Sequence, residues 1–277
     1  MVFSPYAQFA LAAFHASCSH RRYSEFYIRR FNPHMHPISI TQIFKESLDW
    51  VQKNTDIVVG VALAIHAFPG ILIYYATGLQ NPANLNLSNI IVLIIGAALT
   101  TILGQAMIFA RMYLDLFGPH ETGKGPWSLT FENFIPLLLL SIVTGVLTVL
   151  GFLALVIPGI FLTILWSVAA PALVVEHLTL NQALNRSADL TKGFRWQVLG
   201  LLLILVALLL VISSFWEAIA NVFAGGDVEN AGIWYIIISQ IISGFFGVFF
   251  AVMQMNLFKT LRQKHSGLDN NEMTIFD

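Results

Sequence analysis

The sequence predicts an all-α, polytopic membrane protein. Three observations carry that prediction: an apolar chain, six apolar runs of membrane length, and basic residues confined to alternate ends of those runs. Hydrophobic residues make up 57% of the 277 positions and charged residues only 10%, whereas soluble domains carry about 25% charged residues. The mean hydropathy is +0.74. A formal net charge of −1 does not suit a nucleic-acid partner, because phosphate neutralisation needs a basic surface. The single cysteine, Cys18, allows neither an internal disulfide nor a thiolate metal site. No cofactor is expected.

A helix of about 20 mostly apolar residues crosses a bilayer core. Six candidates occur, at 56–77, 90–114, 134–155, 159–175, 196–218 and 232–258. The third and fourth are separated only by Val156-Ile157-Pro158-Gly159, read as a tight reversal, since Pro ends a helix and Gly permits the turn. All 14 Lys and Arg residues lie before the first run, at or after the end of the second, between the fourth and fifth, or after the sixth. The loops after the first, third and fifth runs have none, and the last of these carries Asp227 and Glu229. The positive-inside rule then predicts both termini in the cytoplasm, which requires an even number of crossings.

The domain reading follows: a basic lead at 1–37, a membrane domain at 38–262 and a cytoplasmic tail at 263–277. The lead places its apolar stretch ahead of its arginines, the reverse of a signal peptide. His15 stands where a lipobox around Cys18 wants Leu, and Met35 offers an alternative start.

Two amphipathic elbow helices are expected on the cytoplasmic face. In 179–192, steps of about 100° put Leu180, Ala183, Leu184, Ser187, Ala188 and Leu190 on one side. Asn181, Gln182, Asn185, Arg186, Asp189 and Lys192 fall on the other. Thr179 and Gln182 have capping-box spacing, and Gly193 is placed to end the helix. In 39–54, Ile40, Ile43, Phe44, Ser47, Leu48 and Val51 face one way, and Ser39 and Gln42 repeat the cap spacing. At an offset of 140, Gln42, Ser47, Asp49, Val58 and Gly60 meet Gln182, Ser187, Asp189, Val198 and Gly200. A shorter relative is read at Ser128-Leu-Thr-Phe-Glu-Asn-Phe134, so the chain reads as about three elbow-plus-hairpin repeats.

Pro171-Ala-Leu-Val-Val-Glu176, then Ala183-Leu-Asn-Arg-Ser187, then Leu190-Thr-Lys-Gly193 and Trp196, preceded by Ile157-Pro158-Gly159, make a recognisable arrangement. It resembles the YciC-like inner-membrane proteins, and is similar to the membrane domain fused to some glycerophosphodiester phosphodiesterases. The likeness covers about 38–260. It implies a multi-spanning inner-membrane protein and carries over no catalytic residue, because the chain contains no phosphodiesterase domain.

Several further features have two readings. Gly118 to Gly125 matches G-x-x-x-x-G-K, but Gly125 replaces the Ser or Thr that would hold magnesium and no strand precedes it, so a turn is expected. His66 lies within the first run and is read as a packing or hydrogen-bonding residue rather than a proton relay. Ser239, Ser243, Gly247 and Ala251, four apart, are read as a helix-packing stripe. Glu176 and Arg186 are either two solvated charges or an ion pair pinning the elbow. Ser47 and Ser187 are expected to bond back to their own helix carbonyls.

Nucleophile, base and orienting group do not come together anywhere in the sequence, and no His/Glu cluster has metal spacing. The expected protein is non-enzymatic, with the lipid bilayer, anionic head groups or another membrane protein as its partners. The rival expectation is a transporter or channel for a small solute or lipid, favoured by Pro69, Pro158 and Pro171, since broken helices build binding sites. An intramembrane hydrolase is a third.

Overall fold

A computed structural model describes residues 38–76, 86–118, 123–223 and 232–266. Among the described residues the chain is helical, without a strand. It forms α1 (Ile40–Lys53), α2 (Thr55–Ala76), α3 (Leu87–Phe117) and α4 (Pro126–Ala154). Then follow α5 (Val156–Leu165), α6 (Ala169–Val175), α7 (Leu180–Thr191), α8 (Arg195–Phe223) and α9 (Gly232–Ser266). With α5 and α6 taken together, six segments are long and apolar enough to cross a membrane. The protein is an all-α, multi-pass integral membrane protein. The lead, part of the tail and both acidic residues Asp227 and Glu229 lie outside the described residues.

Pro69 and Pro158 each have a local consequence. A proline ring removes one N–H and crowds the carbonyl four residues back. In α2, Val61–Ala67 is wound as a π-helix and Pro69 follows after Phe68, so the wider turn accommodates the crowded Ile65 carbonyl. Pro158 does not sit in the reversal between α4 and α5. The reversal is Leu155 alone, in extended backbone (φ −165°, ψ 148°). Val156-Ile157-Pro158 forms the first turn of α5, where a missing N–H costs nothing. The hairpin closes through Gly159, because a Cβ there would stand 2.4 Å from the Phe152 ring.

Buried residues gather at one end of the bundle. They run from Ile102 to Leu114 on α3, from Leu129 to Leu140 on α4, through all of α6 except Ala170, and from Val248 to Leu261 on α9. The two elbows are α1 and α7. The expected third elbow is not a separate element, since Ser128 to Phe134 is the start of the continuous helix α4. Pro126 at its first turn pre-sets the helical φ and Gly125 precedes it, and the helix runs on unbroken through Pro136.

Candidate functional site: the junction of α6, α7 and α9

The centre of the packed end is α6. Pro171, Ala172, Leu173, Val174 and Val175 are all buried, enclosed by α3, α4, α7 and α9. The Pro171-to-Val175 stretch is therefore core. After Glu176, His177 takes a left-handed φ of 49°, and Leu178 N–H bonds back to Leu173 O at 3.2 Å. That six-to-one bond is a Schellman ending, which more often uses Gly at the left-handed position.

Glu176 binds two arginines. Arg186 of α7 donates from Nε to Oε2 at 2.9 Å and from Nη2 to Oε1 at 3.0 Å, a two-pronged fork. Arg262 of α9 places Nε 3.4 Å from Oε1. The Glu176 side chain is 16% exposed and that of Arg186 35%. One half-shielded carboxylate thus joins three helices. Arg186 is drawn out of the polar row of α7 toward Glu176, which is why it is half-buried while Asn185 and Asp189 are exposed.

Ser187 makes the second tie. It is fully buried and reaches the break between α5 and α6 rather than its own helix. Its hydroxyl donates to Leu165 O at 2.7 Å and accepts from Val168 N–H at 3.3 Å. Pro171 cannot donate to Ser167 O, and Gln254 Nε2 of α9 takes that carbonyl at 3.1 Å. Both orphaned carbonyls of the broken helix are satisfied from neighbouring helices, as buried backbone requires. Ser47, the counterpart of Ser187 on α1, is also fully buried. It does bond back to Ile43 O, at 2.8 Å, and accepts from Asn256 Nδ2 of α9 at 2.9 Å.

The caps differ between the elbows. On α7 the Thr179 N–H and hydroxyl both donate to Gln182 Oε1, at 3.0 and 2.9 Å. On α1 Ser39 accepts from Gln42 N–H at 3.3 Å, while the Gln42 side chain runs forward to Glu46. Gly193, at φ 92°, follows the end of α7. Trp196 is 83% exposed, suited to a membrane–water interface. The apolar sides of both elbows are covered mainly by protein: Ile43, Ala183 and Leu190 are buried, and only Leu48 of the expected inward positions is exposed.

The expected stripe on α9 is packed at Gly247 and Ala251 but not at Ser243. Gly244 is buried and Ser243 exposed. Ala251 is fully buried, and a Cβ on Gly247 would lie 3.5 Å from His66 Nε2. Ser239 bonds to Ile236 O at 2.9 Å. Four residues make about 400° of turn, so a four-residue repeat drifts about 40° per step and cannot stay on one face. The real contact is an interlock. A Cβ on Gly104 of α3 would stand 2.4 Å from His66 Nε2, and one on Gly244 2.7 Å from Ala62 O. In return a Cβ on Gly70 of α2 would stand 2.7 Å from Gln240 Oε1. The Gln240 side chain of α9 fills the notch at Gly70, and the Ala62 backbone with the His66 Cβ of α2 fills the notch at Gly244. The sequence signal for this was Gly70, Gly104 and Gly244 themselves, which a search for four-residue spacing passes over.

Among the described residues, no group of three or more His, Cys, Asp or Glu residues is placed to hold a metal ion. The charged groups of the junction are engaged with one another. The loop with the G-x-x-x-x-G-K pattern lies partly outside the described residues. No family model, curated protein or solved structure matches this chain.

Proposed function

We propose that the protein is a non-enzymatic module of the bacterial inner membrane, YciC-like in kind, with both termini in the cytoplasm. Its two elbow helices present a fixed polar surface to lipid head groups or to a membrane partner. The observation that carries this reading is the division of each elbow into a locked side and a free side. Ser47 and Ser187 tie one side of α1 and α7 into the bundle. The other side exposes Lys45, Glu46, Asp49 and Lys53 on α1, and Asn181, Gln182, Asn185, Asp189 and Lys192 on α7. A polar surface held by buried bonds loses little freedom on binding. The Lys and Arg distribution supports the orientation.

The test is quantitative recovery of proteins and lipids from native membranes in mild detergent. The unmodified chain is compared with a chain carrying Asp49→Ala, Asn185→Ala and Asp189→Ala. The reading expects a protein or lipid class that accompanies the first and is depleted with the second. Equal recoveries contradict it.

A second reading, a transporter of a small solute or lipid, is favoured by the interrupted helices: the π-wound segment of α2 that contains His66 and the break after Leu165. Interrupted helices frame substrate sites in transporters. Solute or lipid flux in reconstituted vesicles would move the account to that reading.

A further inference from the structure

We infer that Arg195, at the start of α8, anchors a site for the phosphate of an anionic phospholipid. Arg111 pairs with Asp115, and Arg186 and Arg262 pair with Glu176. Arg195 is different, for it has no carboxylate partner among the described residues. Its Nε is shut off from the surroundings without a hydrogen-bond partner, although the residue as a whole is half-buried. The protein thus answers neither the charge nor that donor, and a cation left so beside membrane helices calls for an anion.

The guanidinium is held ready for one. Its carbon stands 4.9 Å from the centre of the Phe161 ring of α5, a cation–π contact that covers one face of the planar group. Nε alone of its three nitrogens is both shielded and unbonded, so the two Nη groups form the open edge. Two N–H donors side by side match two oxygens of a phosphate, which the point charge of a lysine would not. An edge already fixed by a ring loses little freedom on binding. Arg195 is also the first residue of a helix that runs to Phe223. The first-turn N–H groups of such a helix have no acceptor within it and carry the positive end of its dipole.

The surroundings favour a lipid as the source of the phosphate. Trp196, the next residue, is exposed, and an exposed indole belongs at the level of the head groups. The helix beyond is bare. α5, with 10 residues, extends about 15 Å, whereas α8, with 29, extends about 43 Å. Between Leu205 and Ala220 no residue of α8 is buried, and Leu210 and Val211 are 60% and 66% exposed. Acyl chains attached to a phosphate at Arg195 have that apolar length to lie along. With no carboxylate paired to Arg195 among the described residues, the ammonium of a zwitterionic head group would meet repulsion, so an anionic head group is preferred. The site lies off the exposed polar sides of α1 and α7 and does not rest on the reading proposed for them.

Native mass spectrometry of the full chain in mild detergent tests this, with phosphatidylglycerol, phosphatidylcholine and inorganic phosphate as probes. The expected result is retention of phosphatidylglycerol in preference to phosphatidylcholine. Its affinity should fall about tenfold or more in Arg195→Gln and by less in Arg195→Lys, which keeps the charge and loses the fork. Lys53→Gln removes an exposed charge from α1 and should change nothing. Unchanged affinity in Arg195→Gln, an equal loss in Lys53→Gln, or equal retention of the two lipids overturns the inference. Should Arg195→Gln fail to fold, Arg195→Lys decides, and full affinity there overturns it as well. Inorganic phosphate bound at Arg195 and not displaced by phosphatidylglycerol overturns the lipid as its source. The chain carrying Asp49→Ala, Asn185→Ala and Asp189→Ala should still retain phosphatidylglycerol, so this site and the elbow surfaces fail separately.

Discussion

Arg186 grips Glu176 with both prongs of its guanidinium, at 2.9 and 3.0 Å, across the turn that separates α6 from α7. Arg262 adds a contact from α9 to the same carboxylate. The pair lies between the exposed case, worth under about 1 kcal/mol, and the fully buried case, where losing one partner costs about 3–5 kcal/mol.

Arg186→Ala should therefore destabilise by about 1–3 kcal/mol, and Lys192→Ala, on the exposed side of α7, by under about 0.5 kcal/mol. Thermal melting in detergent measures both. The swap Glu176→Arg with Arg186→Glu should recover only part of the loss, because the guanidinium introduced on α6 would meet that of Arg262. Equal, small effects for Arg186 and Lys192 would show both charges simply solvated.

Ser187→Ala should cost more than most buried Ser→Ala changes. It leaves Leu165 O without its hydroxyl donor and Val168 N–H without an acceptor, each worth about 1–3 kcal/mol when buried and unpaired. Ser47→Ala orphans chiefly Asn256 Nδ2 and should cost less. Melting curves rank the two, and a larger loss at Ser47 would contradict this account of the break.

The glycine notches make a rescue prediction. Gly104→Ala collides with the His66 ring and should cost about 1–3 kcal/mol, with most of it restored by His66→Ala. Gly244→Ala meets the Ala62 carbonyl, which no side-chain truncation moves, so His66→Ala should not restore it. A double-mutant cycle on stability distinguishes the two cases, and equal rescue would contradict the interlock.

Much of this fold was legible in the sequence because the bilayer imposes length and apolarity on each segment. All six long runs lie where hydropathy puts them, although the helices extend past the apolar limits, as α9 does through Lys264. The elbows were legible because their burial follows the 100° pattern, with Ser47 and Ser187 at zero exposure. The break at Trp166–Val168 was not legible. No glycine marks it, and its cause is distributed: Pro171 withholds one N–H, while Ser187 and Gln254 supply the missing partners from distant positions in the chain. The ion pair was one of two open readings, since sequence spacing alone does not say whether two charges face each other. The notch at His66 depends on which residues of three helices meet, which helical periodicity within one helix does not specify.

The central claim is a membrane bundle with both elbows and its C-terminus on the cytoplasmic side. Reporter fusions placed after Lys264, near Thr122 and near Asp227 test it most directly. The account predicts cytoplasmic signals at the first two and a periplasmic signal at the third. A periplasmic signal after Lys264 would contradict it.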